Sequence, residues 1–254
     1  EARAPRLEVR GLSKTFSGVT VLDGAHLELA PGEIHALVGQ NGSGKSTLIK
    51  LISGVHRADA GGEILVDGVH LGPPVHAGRL HQQGLAFVHQ DLGLVHDLTV
   101  RENVRVGRNS VSRFTRRIDR AADRAAVRQT FDFLGVPIDP EARVASLTPS
   151  ERVAVAVARA LQEREEGSGV IVFDESSRAI PHEALADFYD MVRFLADQGT
   201  SVLFVSHDLK EVLGLAHRVT ALRNGRVVET GVPVADLDEA ALTRLVLGRD
   251  GAPG

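Results

Sequence analysis

Gly39-Gln40-Asn41-Gly42-Ser43-Gly44-Lys45-Ser46-Thr47 satisfies every fixed position of the phosphate-loop pattern G-x-x-x-x-G-K-[ST]. Glycines at this spacing let a loop close around a polyphosphate with its backbone N–H groups turned inward. Lys45 adds a point charge and Ser46 a hydroxyl suited to Mg²⁺. The preceding segment 33–38 is short and mostly apolar, a strand candidate; residues 46–53 alternate apolar and polar positions as a helix start does. The context is therefore strand, loop, helix, and the N-terminal end of that helix adds its own unpaired N–H groups and positive dipole end to the phosphate cradle. The residues point to a nucleotide polyphosphate with Mg²⁺.

The rest of the chain supplies a frame for such a loop. Val170-Ile171-Val172-Phe173 and Ser201-Val202-Leu203-Phe204-Val205 are almost wholly apolar, and the amphipathic stretch 183–197 separates them. That pattern is a β-α-β unit whose parallel strands are covered on both faces. Alternating segments at 7–9 and 26–29 predict antiparallel strands with one wet face, and 63–66 runs into a turn at Asp67-Gly68. Val219-Thr220-Ala221-Leu222, a turn at Asn224-Gly225 and Arg226-Val227-Val228-Glu229 predict a hairpin. From about 100 to 164 the spacing is helical, and a final helix is expected over 237–247. The expectation is an α/β fold: a mostly parallel sheet flanked by helices, with an antiparallel β subdomain and a helical subdomain at about 91–165, all in one domain spanning 1–254.

The chain has 254 residues, 43% hydrophobic and 24% charged, the profile of an ordinary globular protein, and no apolar run approaches the length of a membrane span. A membrane role would have to come through a partner. With no cysteine there is neither a disulfide framework nor a thiolate metal site. A net charge of −4 argues against a general nucleic-acid binder. Arginines do cluster at 101, 105, 108, 113, 116, 117, 120, 124 and 128, and several share a helical face. That face is either a docking surface or, the favoured reading, a solvated helix side interleaved with Asp119 and Asp123. The opening Glu1-Ala2-Arg3-Ala4-Pro5 lacks the apolar core of a secretion signal and is expected to be a loose lead-in.

Three further positions fit nucleotide chemistry. The strand 170–173 ends in Asp174-Glu175, where ligands bind in open α/β sheets. There Asp174 would enter the Mg²⁺ shell and Glu175 would polarise an attacking water. The strand 201–205 ends in Ser206-His207-Asp208, where His207 would reach a γ-phosphate or, on the plainer reading, simply open a helix at the surface. Gln90 ends the apolar run 85–89 and would ligate Mg²⁺ or orient water.

The order of these residues resembles the ATP-binding cassette (ABC) ATPase family over nearly the whole chain. The resemblance makes Phe16 the aromatic that stacks on adenine, 39–47 the Walker A loop and Gln90 the Q-loop glutamine. It makes Asp174 and Glu175 the Walker B aspartate and catalytic glutamate, and His207 the switch histidine. It also implies a signature loop, usually Leu-Ser-Gly-Gly-Gln, that completes the ATP site of an opposing cassette. Here that run is Leu147-Thr148-Pro149-Ser150-Glu151-Arg152. Thr148, Pro149 and Glu151 make a capping box with the favoured first helical residue, so the helix start is secure. Ser150 stands where glycine allows close approach, and the Glu151 carboxylate would repel a γ-phosphate by about 1 kcal/mol or more. The loop after Walker B departs as well, Ser176-Ser177-Arg178-Ala179-Ile180-Pro181 replacing the usual Leu-Asp ending.

The runs 88–92, 98–104 and 242–250 further resemble the first half of the tandem ATPases of bacterial sugar importers, and the ending Gly251-Ala252-Pro253-Gly254 resembles a linker between halves. The resemblance implies hydrolysis of ATP with Mg²⁺ to drive uptake of a small polar solute, a monosaccharide above all. It implies three partners: a second cassette, membrane permease subunits and an extracytoplasmic solute-binding protein, at the cytoplasmic face of the membrane and without nucleic acid. Two alternatives stand beside it, a soluble non-transport ABC ATPase and an ATP-sensing cassette with little turnover. Small GTPases are excluded, because no Asn-Lys-x-Asp guanine-reading run occurs.

Overall fold

The computed structural model describes residues 4–71, 80, 83–89, 91–107, 118–162, 167–175 and 180–248. The described residues fall into two compact units, one within Glu1–Phe87, Glu165–Glu175 and Val192–Gly254, the other within Val88–Arg164 and Ser176–Met191. No helix among them is long and apolar enough to cross a membrane.

The first unit holds two sheets. In the four-stranded one, β1 (Leu7–Phe16) and β2 (Val19–Leu29) form a long antiparallel hairpin. β4 (Glu63–Val66) pairs with β1, and β5 (Val69–His70) closes the order β2-β1-β4-β5. The hairpin is longer than its alternation suggests because its register shifts three times, between Val9 and Leu12, Leu12 and Lys14, and Lys14 and Thr15. Each shift reverses the face on which side chains alternate, so a period-2 pattern is visible only in pieces. Gly11 and Gly24 both take φ of 60°, the left-handed conformation such irregularities use.

The second sheet carries the chemistry. β3 (Ile34–Val38) lies between β8 (Ser201–Val205) and β9 (Arg218–Arg223), parallel to both, and β7 (Val170–Asp174) runs parallel to β8 on its far side. β10 (Arg226–Pro233) adds an antiparallel edge and β6 (Leu85–His89) the other edge, in the order β10-β9-β3-β8-β7-β6. Every residue of β3 and β8 is buried, which is why these strands read as near-continuous apolar runs interrupted only by His35 and Ser201. Pro233 ends β10, at an edge where a missing N–H costs no ladder hydrogen bond. The helices α1 (Lys45–Ile52), α6 (Leu209–Leu215) and α7 (Glu239–Leu247) belong to this unit. The last starts two residues later than the sequence suggests, because Asp238 caps it through Ala241 N–H.

One polar group lies deep in this sheet. His35 is fully buried, with Nδ1 2.7 Å from Glu33 Oε1 and Nε2 2.8 Å from Thr220 Oγ1, while Glu33 also accepts from Ala30 N–H. Burial alone would push the Glu33 pKa up; the His35 hydrogen bond and charge, the Ala30 N–H and Arg218 outweigh it and hold the carboxyl below its ordinary 4.5. Its contribution to stability is therefore fully present above pH 4.5 and is lost as pH falls through the depressed native value. Glu33→Gln should cost about 1–3 kcal/mol at pH 7. The variant should also lack part of the acid-induced loss seen in the parent, checked by urea midpoints from pH 7 down to pH 3. A pH-independent difference between the two would contradict the assignment.

The second unit contains α2 (Val100–Val104), α3 (Arg120–Leu134) and α4 (Pro149–Leu161). The expected continuous helical stretch is interrupted where Gly135, left-handed at φ 67°, ends α3, and Pro137 and Pro140 follow. An extended connector runs from there to Thr148, with a 3-10 turn at Val144–Ser146. Two arginines of the cluster are structural: Arg105 donates to buried Asp123 at 3.0 Å and to Gln162 at 3.0 Å, and Arg101 to Glu141 at 2.8 Å. Arg120, Arg124 and Arg128 are solvated, while positions 108, 113, 116 and 117 lie outside the described residues. The helix expected over 183–197 is α5 (Leu185–Asp197), preceded by a 3-10 turn at His182–Ala184 because Pro181 sets the entry angle.

Candidate nucleotide site

The phosphate loop leaves β3 at Val38 and enters α1 at Lys45. Its path needs glycine three times: Gly39, Gly42 and Gly44 take φ of 155°, 78° and 110°. A Cβ on Gly39 would overlap the Leu222 carbonyl oxygen and lie 2.6 Å from Ser43 Oγ, and one on Gly44 would press on Leu222 and the Val21 carbonyl at 3.1 Å. A Cβ on Gly42 meets nothing within 4 Å, so this glycine faces open space. The loop is also pinned from behind, since Gly225 of the β9–β10 turn donates to Ser43 O at 2.9 Å and accepts from Asp23 N at 2.8 Å. Gly39→Ala combines overpacking with backbone strain and should cost about 3 kcal/mol of stability. It should also weaken nucleotide binding, both read from denaturant and ATP titrations; an alanine variant with the parent's midpoint would refute the crowding.

Three features suit this loop to an anion. The N-cap of α1 is Gly44 with no side-chain cap, so the first N–H groups of the helix are left to a ligand. No acidic residue stands in that first turn to repel one. The Ser43 hydroxyl is buried without a hydrogen-bond partner in the protein, an arrangement costing about 1–3 kcal/mol.

Lys45 sits inside the curve, 5% exposed, its Nζ donating to Gly39 O at 2.7 Å and Gln40 O at 3.0 Å. Burial pushes its pKa below 10.5, and the charges of Glu175 and Asp174 oppose that shift. The two carboxylates are thus brought electrostatically to the loop, although they come from a different strand. Asp174 pairs in register with Val205 of β8, which pairs with Leu37 of β3, so the pair stands two strand spacings, about 10 Å, from the loop's origin. Glu175 has φ of 50°, a left-handed value that a non-glycine residue holds at a cost of about 1–3 kcal/mol. Ser46 is exposed and Thr47 half-buried at the start of α1.

His207 is exposed two residues beyond the end of β8, and Asp208 caps α6 by accepting from Lys210 and Glu211 N–H. His207 borders a cavity of about 380 Å³ shared with Gly39, Gln40, Asn41 and Ser206, so the histidine and the phosphate loop line one space.

Phe16 closes β1 on the four-stranded sheet, 39% exposed, with Lys14 Nζ 5.1 Å from its ring centroid and the His56 ring edge-on at 5.2 Å. Lys14 is a neighbour the sequence did not single out; its i, i+2 position on the strand was the available signal. Gln90 and the segment 176–179 lie outside the described residues.

The run 147–151 belongs to the second unit, where Leu147 is buried and Pro149 opens α4. The capping box there is complete, with Glu151 N donating to Thr148 Oγ1 at 3.3 Å and Thr148 N donating to Glu151 Oε2 at 2.7 Å. Ser150 Oγ donates to Asp187 Oδ2 at 2.9 Å. The Glu151 carboxylate is therefore folded onto its own helix end, and Asp187 adds a second negative charge beside it that sequence spacing could not place there.

Among the described residues no three acidic or histidine side chains gather as a metal cluster. The donor set of Ser46 hydroxyl and Asp174 carboxylate nevertheless fits Mg²⁺, which is characteristically held by one or two carboxylates, water and the substrate's own phosphates.

Comparison with known proteins agrees with this geometry. A family model described as ABC transporter matches residues 22–178. The ribose import ATP-binding protein RbsA 1 of Rubrobacter xylanophilus is 43% identical over 96% of this chain and 47% of its own length. Its namesake RbsA 2 of Streptomyces avermitilis is 40% identical over 97% of this chain and 48% of its own length. The chain thus spans about half the length of these curated relatives. Among solved structures, a nucleotide-free ATP-binding cassette from an ABC transporter superposes with a TM-score of 0.78 at 22% identity, covering 94% of this chain and 95% of that one. For cbiO1 from Clostridium perfringens, part of the ABC transporter complex cbiONQ, the TM-score is 0.76 at 22% identity, with coverage of 95% and 94%. With the family model matched across both the phosphate loop and the strand-end carboxylates, the chain belongs to the ABC transporter family.

Proposed function

We propose that this chain is the first ATP-binding cassette of a sugar importer's tandem ATPase, a single nucleotide-binding domain that uses ATP hydrolysis to drive uptake of a monosaccharide. The observation that carries the reading is Lys45, buried against its own loop carbonyls and within the field of the Asp174–Glu175 pair at the C-terminal end of a parallel strand. A cation, uncapped helix N–H groups and two carboxylates within its field support a site where a triphosphate and an attacking water would meet. The names of the curated relatives, ribose import ATP-binding proteins, support the solute class.

On this reading Phe16 stacks on the adenine. The loop amides of Gly42 to Thr47, with Asn41 at the loop's exposed crest, hold the phosphates while Lys45 neutralises the bridge between the terminal pair. Ser46, Asp174 and Gln90 would hold Mg²⁺, which would supply charge neutralisation on the phosphate oxygens. Glu175 orients the water and draws its proton, and His207 hydrogen-bonds the γ-phosphate from across the shared cavity. The opposing cassette contributes its signature to this site. The reciprocal site, completed by Leu147 to Glu151, is the slower one, because Ser150 is tied to Asp187 and two carboxylates stand where a neutral approach is needed.

The partners are a second cassette, permease subunits and an extracytoplasmic solute-binding protein, with the chain docked at the cytoplasmic face of the membrane. The test is uptake of radiolabelled ribose by proteoliposomes assembled from the full-length protein, its permease and its binding protein. Uptake that requires internal ATP is expected. ATP hydrolysis that no sugar stimulates, with no accumulation of any monosaccharide tried, would overturn the transport reading.

A further inference from the structure

His207 reaches its cavity from a very short turn. Val205 ends β8, Ser206 is 3% exposed, His207 is in solvent and Asp208 already caps α6. Three residues separating a rigid strand from a rigid helix leave the imidazole's direction to whatever fixes the backbone of residues 206–208. The structure contains a device that does so. Glu211, on the buried face of α6 with Val212 and Leu215, is 6% exposed, and its Oε2 accepts a hydrogen bond from the Ser206 hydroxyl. The same Ser206 oxygen accepts from Asp208 N–H at 3.0 Å. The carboxylate, the hydroxyl and the amide thus form a strut across the base of the turn, from the helix back to the last buried residue after the strand, with His207 at its crest.

A buried carboxylate is costly unless hydrogen-bonded, and the Ser206 hydroxyl is a donor that Glu211 has here. Asp208 by itself is sufficient to cap α6, since its Oδ1 accepts from both Lys210 and Glu211 N–H. The extra pair therefore acts on the turn rather than on the helix end. We propose that Glu211 and Ser206 are positioning residues for His207, holding the imidazole at the mouth of the cavity it shares with Gly39, Gln40 and Asn41. The inference rests on the reading of His207 as a γ-phosphate contact and adds the group that aims it. Glu211 acts on the histidine through Ser206, which itself borders the cavity.

The consequence is a selective effect on turnover. In the full-length protein, with the residual rate of the Glu175→Gln variant subtracted as background, Glu211→Ala should lower kcat about tenfold while leaving the affinity for a non-hydrolysable ATP analogue within about threefold. Glu211→Gln should recover most of the rate, because its amide oxygen still accepts from Ser206. Ser206→Ala should behave as Glu211→Ala does, and it keeps the test available should the alanine at 211 fail to fold. The deciding measurement is a double-mutant cycle with His207→Ala. If Glu211 works by aiming His207, adding Glu211→Ala to His207→Ala changes kcat no further. Full additivity of the two losses, or a Glu211→Ala enzyme with the parent's kcat, overturns the proposal. A His207→Ala variant as active as the parent would instead overturn the role given to His207 itself, so the two failures are distinguishable.

Discussion

Replacing Lys45 with alanine is expected to abolish useful ATP binding, weakening it at least 100-fold, about 2.7 kcal/mol. Three losses coincide at this one side chain. The incoming phosphates lose their point charge. Gly39 O and Gln40 O lose the donor that holds them at 2.7 and 3.0 Å, so the loop loses its internal brace. Asp174 and Glu175 lose the cation whose field they share, and their own charges then oppose a polyphosphate. Lys45→Arg should not restore binding, because a planar guanidinium does not fit a curve shaped around a single ammonium. Fluorescence titration with ATP and a parallel thermal melt separate the contributions. Binding lost with little change in Tm assigns the effect to the ligand, while a large drop in Tm assigns it to the brace. An alanine variant that binds ATP within threefold of the parent would remove Lys45 from the site.

Which features of this molecule could be read from residue order follows from how local their causes are. The phosphate loop was legible because glycine, lysine and serine at fixed spacing act within nine residues, and the capping box at Thr148 and Glu151 because a cap is made within four. The parallel core was legible because strands buried on both faces lose their alternation, as β3 and β8 do. Causes that lie in register or in long-range pairing were not legible. The β1–β2 hairpin looked like short fragments because its bulges reverse the facing of side chains along the strand. The connector from Gly135 to Thr148 looked helical by its apolar spacing, although Pro137 and Pro140 carried the signal against it.

The site shows the same division. Asp174 and Glu175 could be named as the ends of a buried strand, but the left-handed φ of Glu175 has no signature in residue type. His207 could be named from its strand end; the Ser206–Glu211 contact that fixes its turn spans five residues and two element types, and Asp208-x-x-Glu211 read locally resembles an ordinary capping pair. The link between Ser150 and Asp187 crosses 37 positions and is visible only in three dimensions.

Glu175→Gln should separate binding from chemistry in the opposite sense to Lys45→Ala. Glutamine keeps the length and shape of the side chain and has a similar preference at φ of 50°, so the fold should melt within a few degrees of the parent. It cannot accept a proton from water at neutral pH, and the loss of a positioned general base slows hydrolysis by about 10²–10⁴-fold. Affinity for ATP should hold or rise. One of the two carboxylate charges near the phosphates is gone, which lowers repulsion, while the lost field lets the Lys45 pKa fall further. In the full-length protein the slowed site would retain its nucleotide, so tightly bound ATP should co-purify on rapid desalting at a level the parent does not reach. Phosphate release at this site that continues at the parent's rate after the substitution would show that another group takes the proton, and the strained backbone at 175 would then need a different explanation from the placement of a base.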